Sequence, residues 1–290
     1  NEYVLPLFSS MSYGSTEMKY QLSTTPLAML SCLFQNRELL HGLVKRDFFG
    51  RYKGSILGVL WAIFNPLFLL AIYTFVFSVA FKAKWGGGEE TKVTFAIVLF
   101  SGMIVHSFFS ECLNRAPSLI VGSSNYVKKV VFPLEILPVM VLFSALINFL
   151  VGFSVLLVFC LLAGVVVHVG TLLIPVVLIP LILMTLGFTW ILSALGVYLR
   201  DISQFIGVLT TVALFLAPIF YPIDALPKSY QALLLWNPIT LPVVQLRNLM
   251  LWGKPLRWDA WVISLVIGSA VCCLGYWWFQ KTRRGFSDVL

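Results

Sequence analysis

Charge is scarce in this sequence. Asp, Glu, Lys and Arg make up only 11% of its 290 residues, whereas a soluble globular domain carries roughly a quarter. With 59% hydrophobic residues beside so little charge, the chain falls outside the ordinary soluble classes and reads as an integral membrane protein. Phosphate-cradling motifs are missing too. No G-x-x-x-x-G-K-[ST] occurs, and "GGGEETK" (86–92) and "WGKP" (252–255) lack its spacing, so ATP is not bound here through a P-loop. HExxH and GxSxG are absent, and His41, His106 and His168 are scattered over separate elements, which leaves hydrolases and metal enzymes little to work with. Cys32, Cys112, Cys160, Cys272 and Cys273 lie in or beside apolar segments without CxxC spacing. They read as small core hydrophobes rather than a disulfide framework or a metal site. No catalytic residue, metal or cofactor is expected in this chain. No basic, aromatic-interleaved soluble domain is present to bind nucleic acid. The first long apolar run begins near residue 54, so no cleavable signal peptide is expected.

What the chain does have is apolar length. A membrane-crossing helix needs about 20 apolar residues for about 30 Å of hydrocarbon, and it satisfies its own backbone groups without water. Uncharged runs extend over Gly54–Phe81, Val93–Ser110, Ile136–Leu199, Ile202–Ile223 and Ala260–Gln280. The third is too long for one span, and the polar "HVGT" at His168–Thr171 divides it. The expectation is an all-α integral membrane protein whose transmembrane domain (51–281) holds six helices, at about 54–81, 93–113, 136–167, 172–199, 202–222 and 259–280. Pro238 and Pro242 interrupt the uncharged stretch 229–246, so re-entrant or short helices are expected on the outer side between the fifth and sixth spans.

Residues 1–25, polar and rich in Ser and Thr, are expected to form a flexible arm. Residues 26–50 place Leu30, Leu33, Phe34, Leu40, Val44 and Phe48 roughly on one face, as an interfacial amphipathic helix would. Residues 282–290 form a tail. Lysine and arginine favour the cytoplasmic side of short loops. Lys19, Arg37, Lys45, Arg46, Arg51, Lys53, Arg115, Lys128, Lys129, Arg200, Lys281, Arg283 and Arg284 fall on one side of a six-span layout. Fewer fall on the other: Lys82, Lys84, Lys92, Lys228, Arg247, Lys254 and Arg257. Both termini are therefore expected in the cytoplasm, and the net charge of +8 reflects topology. No internal repeat suggests an inverted-repeat transporter.

The spans are nearly free of charge, although an ion-coupled transporter tends to bear the roughly 2.5–3.5 kcal/mol that a charge costs at the bilayer centre. Glu111 and Arg115, spaced i,i+4 with glutamate first, form either a structural helix pair or part of a gate. Trp61, Phe64, Phe68 and Phe75 share a helix face. That face either packs on lipid or a neighbouring helix or lines a pathway, and apolar faces of sugars rest well on such rings. Phe215, Phe220, Tyr221, Trp236, Trp252, Trp258 and Trp261 fit an interfacial aromatic belt. Asn65–Pro66 should kink the first span.

Five stretches carry a resemblance: "KRDFFGRYKGSILGVLWAIFNPLFLLAIYTFVF" (Lys45–Phe77), "YVKKVVFPLEILP" (Tyr126–Pro138), "LGVYLRDI" (Leu195–Ile202), "PIFYP" (Pro218–Pro222) and "NPIT" (Asn237–Thr240). In order and spacing over about residues 35–290, the chain resembles the permease subunit of polysaccharide-exporting ABC transporters, which handle O-antigen, capsular polysaccharide or teichoic acid. The resemblance implies a homodimer in a bacterial inner membrane, joined by two copies of a separate ATPase that binds ATP and magnesium. The implied substrate is a glycan linked to undecaprenyl diphosphate. It implies a cytoplasmic helix between spans two and three that docks into the ATPase, here Ala116, Pro117, Ser118, Asn125, Tyr126, Lys128 and Lys129. A channel would be lined by Trp61, Phe64, Phe68, Phe75, Phe205, Phe215 and Phe220. Arg46, Arg51 and Lys53 would meet the lipid diphosphate or membrane headgroups. Lys128 and Lys129 would pair with the ATPase or with headgroups, and Glu135 would serve as a helix N-terminal anion or an ATPase contact. Two other classes fit less well: an ABC permease for a drug or small lipid, and a membrane-embedded transferase acting on a lipid-linked sugar.

Overall fold

The computed structural model describes residues 26–76, 92–127 and 132–290, and helix is the regular structure throughout them. The helices are α1 (Pro26–Gln35), α2 (Arg37–Gly50), α3 (Trp61–Tyr73), α4 (Lys92–Leu119), α5 (Ser124–Val127) and α6 (Ile136–Leu162). They continue as α7 (Ile174–Tyr198), α8 (Ile202–Phe215), α9 (Lys228–Leu235), α10 (Thr240–Met250), α11 (Trp258–Thr282) and α12 (Phe286–Val289). By length and composition, 5 helical stretches among the described residues can cross a membrane: Gly58–Val76, Val93–Leu119, Ile136–Leu162, Val169–Tyr198 and Trp258–Val289. The protein is a multi-pass membrane protein.

The expected fifth span is shorter than its apolar run. α8 has 14 residues, about 21 Å at 1.5 Å per residue, against about 30 Å of hydrocarbon. Its cause is local: Pro218 lacks an N–H and disfavours helical backbone in the residue before it, so the helix cannot run on toward Pro222. The expected first span also begins late, because residues 51–57 turn, with Gly54 at φ 88, before helix starts at Gly58. The single interfacial helix expected at 26–50 is two helices. They break at Asn36, whose side-chain nitrogen donates to the Cys32 carbonyl at 2.8 Å. Of the apolar face expected there, Phe48 is buried, Leu33, Leu40 and Val44 pack half-buried against the core, and Phe34 is exposed, while Met29, Cys32 and Leu43 join the core as well. Between the third and fourth expected spans the chain leaves helix at Leu162, turns at Gly164 (φ 68), and re-enters through a 3-10 turn over Val169–Leu173. His168 N–H anchors this connection on the Met250 carbonyl at 3.0 Å.

α4 is the central helix and packs on α3, α6, α7, α8 and α10. In its most apolar window 78% of residues are buried, against 11% for Gly58–Val76, so α3 lies at the surface although it is apolar all round. α7 and α11 form the closest pair. A Cβ on Gly275 would stand 2.2 Å from the Gly187 carbonyl oxygen, so only glycine lets the two backbones meet there, as small residues do in membrane helix pairs. We call the end of the bundle where α2 meets the C-termini of α4, α7 and α11 the proximal end. The distal end holds α9, α10 and the N-terminus of α11.

Candidate functional site

At the proximal end, two i,i+4 pairs face each other. Asp47 and Arg51 close α2, while Glu111 and Arg115 lie in the last turns of α4. The pairing crosses between helices: Arg115 reaches Asp47 at 2.6 Å, and Arg51 reaches both Glu111 and Asp47, the latter at 2.9 Å. Asn148 of α6 donates to the second Glu111 oxygen at 2.9 Å. Glu111 and Arg115 thus pair as their spacing predicts, at 3.5 Å, but as half of a larger network. Burial by itself raises the Asp47 carboxyl, yet hydrogen bonds from Arg115 and Arg51 outweigh it and hold the group below the usual carboxylate range. Arg51, expected at a lipid diphosphate, instead gives its guanidinium to two carboxylates. Arg46 donates to the Tyr126 hydroxyl at 3.5 Å, and it and Lys53 are exposed.

A second cluster closes the same end. Glu135 stands at the N-terminus of α6, as its place after Pro133 suggests, but its side chain is buried. Arg283 pairs with it at 2.6 Å and with the Phe132 carbonyl at 2.9 Å. Cys32 donates to its other oxygen at 3.4 Å, and burial together with this carboxylate pushes the thiol up to about 12. The Trp190 indole donates to the Glu135 backbone carbonyl at 3.1 Å. Residues 282–290 are accordingly packed rather than free: Phe286 is fully buried against Phe279, and Tyr198 donates to the Thr282 carbonyl at 2.9 Å.

The segment expected to dock an ATPase grows out of α4 without a break. Ala116 and Pro117 lie inside that helix and are buried. A Cβ on Gly196 of α7 would stand 2.0 Å from the Pro117 carbonyl oxygen. These two residues are therefore joined to α7 and offer no free surface. Beyond them a 3-10 turn over Val121–Ser123 leads into α5. Ser118, Val121, Gly122 and Asn125 are exposed, while Tyr126 stacks on Phe132 with ring centroids 4.4 Å apart. Lys128 and Lys129 lie outside the described residues.

The expected channel aromatics occupy two surface helices, α3 and α8, each packed on α4. Trp61, Phe64 and Phe68 form a ladder with centroid spacings of 6.5 and 6.3 Å. Phe64 and Phe68 are exposed, as is Phe75 in the π-helical turn that follows α3. On α8, Phe205 and Phe215 are exposed, and half-buried Phe220 stacks on Phe215 at 5.6 Å.

Sequence reading passed over the distal end's main polar group. Arg247 of α10 is fully buried, and its guanidinium donates to the carbonyls of Val98 (3.0 Å), Ile219 (3.2 Å) and Pro218, and to the Ser101 hydroxyl at 3.1 Å. It ties α4 to the irregular segment after α8, to which the Pro218 and Ile219 carbonyls belong. Asn237 donates to the Ala213 carbonyl at 2.7 Å, and the Tyr221 hydroxyl to that of Phe215 at 2.7 Å. Irregular backbone at membrane depth is tolerated only when protein groups satisfy it. The "PIFYP" and "NPIT" motifs therefore have a shared physical role: one breaks the helix, and the other helps to pair its loose end. The available signal was that Arg247 is the one charged residue of α10.

Residues 38–251 match the family model described as ABC-2 type transporter. A Klebsiella pneumoniae protein named O-antigen export system permease protein RfbA is 24% identical over 254 residues, covering 87% of this chain and 95% of that protein. A Myxococcus xanthus protein of the same name is 31% identical over 209 residues, 71% of this chain and 78% of the relative. An Escherichia coli polysialic acid transport protein, KpsM, is 26% identical over 202 residues, 67% and 72% of the two chains.

Proposed function

The chain belongs to the ABC-2 type transporter family, and from that premise we propose that it is the membrane-spanning permease subunit of a polysaccharide exporter. The named functions of its relatives, export of O-antigen and transport of polysialic acid, support a glycan as cargo over a drug or a small lipid. A separate ATPase drives the export. In this reading the proximal end is cytoplasmic, both termini lie there, and the membrane is the bacterial inner membrane. α8 with the paired segment 216–222 serves as a sixth crossing. Two copies of the chain bring their α3 and α8 faces around a pathway for a glycan linked to undecaprenyl diphosphate.

One observation carries the mechanism: α4 runs as a single helix from the distal end to the exposed turn after Leu119, and the Asp47, Arg51, Glu111 and Arg115 network clamps α2 onto it. A push by the ATPase on Ser118, Asn125 and Tyr126, and on Lys128 and Lys129 that follow them in sequence, then moves α4 as a lever. Through the network the same push reaches α2 and, eleven residues beyond Gly50, the aromatic face of α3. A transition of this kind needs packed elements with two discrete arrangements, not a compliant linker. Trp61, Phe64, Phe68, Phe75, Phe205, Phe215 and Phe220 offer ring faces on which a sugar slides without strong binding. Arg46 and Lys53 remain available for the lipid diphosphate.

The test replaces Trp61 and Phe68 by Ala in cells that carry the partner ATPase and measures glycan on the cell surface and ATPase co-purification. Export should fall while the complex still assembles. Unchanged export would return these rings to lipid-facing packing.

A further inference from the structure

Among the described residues, the side-chain hydrogen bonds between α4 and α8 all end on Thr210. His106 of α4, 8% exposed, holds Nε2 at 3.0 Å from the Thr210 carbonyl oxygen. A carbonyl only accepts, so this nitrogen carries the proton and donates. About two turns further along α4, Asn114 meets the Thr210 hydroxyl: its Nδ2 and its Oδ1 each lie 3.3 Å from Oγ1. The hydroxyl has one proton and three acceptors for it, the Ile206 and Gly207 carbonyls at 3.0 Å and Asn114 Oδ1. It can donate within α8 while accepting from the Asn114 amide, or donate outward to Asn114. One contact thus has two discrete arrangements. His106 uses the carbonyl, so its bond is independent of that choice.

The place of Thr210 on α8 gives this contact a consequence. At about 100° per residue, Phe205 and Phe215, five residues before and after it, lie about 140° away on the opposite face. Burial agrees: Ile206 and Thr210 are buried, while Phe205 and Phe215 are exposed. Beyond α8, Arg247 binds the Pro218 and Ile219 carbonyls together with that of Val98 on α4, eight residues before His106. The distal end of α8 is thereby fixed to α4. Toward the proximal end, Asn114 directly precedes Arg115, so the contact with α8 and the clamp with α2 share one stretch of α4.

We propose that Thr210 is the joint through which motion of α4 turns α8 and its aromatic face, with His106 and Asn114 as positioning residues. The hydroxyl changes its acceptor as α4 shifts, while the His106 bond keeps the two helices in register. The joint rests on the exporter reading and adds to it the residues that couple ATP use to passage of the glycan.

The test reconstitutes the permease with its ATPase in vesicles loaded with a lipid-linked glycan and measures glycan transferred per ATP hydrolysed. Thr210→Val keeps the shape and removes the hydroxyl. The ratio should fall about fivefold, the worth of one hydrogen bond, while the thermal midpoint drops by only about 2–4 °C. Thr210→Ser, which restores the hydroxyl, should recover the ratio. Asn114→Leu should lower it alike, and combining it with Thr210→Val should lower it no further. His106→Gln, whose amide offers a donor in place of Nε2, should keep coupling that His106→Phe loses. If His106→Phe does not fold, the Thr210 and Asn114 variants still decide. A wild-type ratio in Thr210→Val, a ratio in Thr210→Ser as low as in Thr210→Val, or transfer and hydrolysis falling in parallel would each overturn the joint. Absence of ATP-dependent transfer by the wild-type pair would instead refute the exporter reading, and the joint with it.

Discussion

Asp47→Asn and Arg115→Met, made singly and together, probe the clamp between α2 and α4. Arg115 gives Asp47 a hydrogen bond of 2.6 Å and Glu111 a longer one of 3.5 Å, and Asp47 also receives Arg51 at 2.9 Å. A hydrogen bond to a charged group contributes about 1.5–3 kcal/mol, whereas an exposed ion pair contributes about 0.2–1. These side chains are neither extreme, at 16% and 30% exposure, so each single change should cost about 2 kcal/mol. Each variant loses the same mutual contact, so the double change should cost less than the sum, by a coupling of about 1 kcal/mol. At roughly 2–4 °C per kcal/mol for chains near this size, each single variant should unfold about 5 °C lower. Thermal unfolding of the detergent-solubilised protein gives the cycle. Both variants should also co-purify with the ATPase while exporting less, because they loosen the connection beyond the docking surface. Costs that add within about 0.3 kcal/mol would show that the two residues do not act as a unit and would refute the clamp.

Arg247→Lys keeps the charge but replaces a planar fork that serves four acceptors with a point donor. It should cost about 2–4 kcal/mol and reduce export without affecting ATPase binding; export at wild-type level would remove Arg247 from the distal architecture. Gly196→Val drives a Cβ into the Pro117 carbonyl and should cost about 3 kcal/mol or more, as forced backbone displacement does. Unaltered thermal stability would mean that α4 and α7 do not meet there. The Asp47 carboxyl is depressed from its ordinary value of 3.8, so its stabilising contribution is present above that value and lost as pH falls through the folded-state value. Thermal midpoints followed from pH 7 downward should therefore fall more steeply on the acid side, below about pH 4, in the wild type than in Asp47→Asn. Identical acid slopes would contradict the pairing.

The helical class was legible because uncharged length leaves few alternatives in a membrane. Where helices stop was less legible. The run from Ile202 to Ile223 is apolar enough to span, yet Pro218 ends the helix, and only the folded chain reveals that Arg247, Asn237 and Tyr221 satisfy the loose carbonyls. The spacing of Glu111 and Arg115 announced a pair, but their partners Asp47 and Arg51 sit on another helix, and no periodicity connects such distant positions. Ala116 and Pro117 read as docking residues only through the family resemblance, which implies a docking helix after the second span. They are buried because Gly196 admits the backbone of α4, a contact that pattern alone does not encode. The aromatic face of α3 is the opposite case: a three-four-seven spacing gave the ladder directly.

The central claim is that this chain moves a glycan only under the power of a second subunit. The direct measurement places the purified permease, its ATPase or both in vesicles loaded with a fluorescent lipid-linked glycan and follows ATP-dependent appearance of the glycan on the far leaflet. Transfer is expected only with both proteins and ATP, and it should fall with Asp47→Asn. Transfer by the permease without the ATPase, or none with the complete pair and a glycan substrate, would contradict the account.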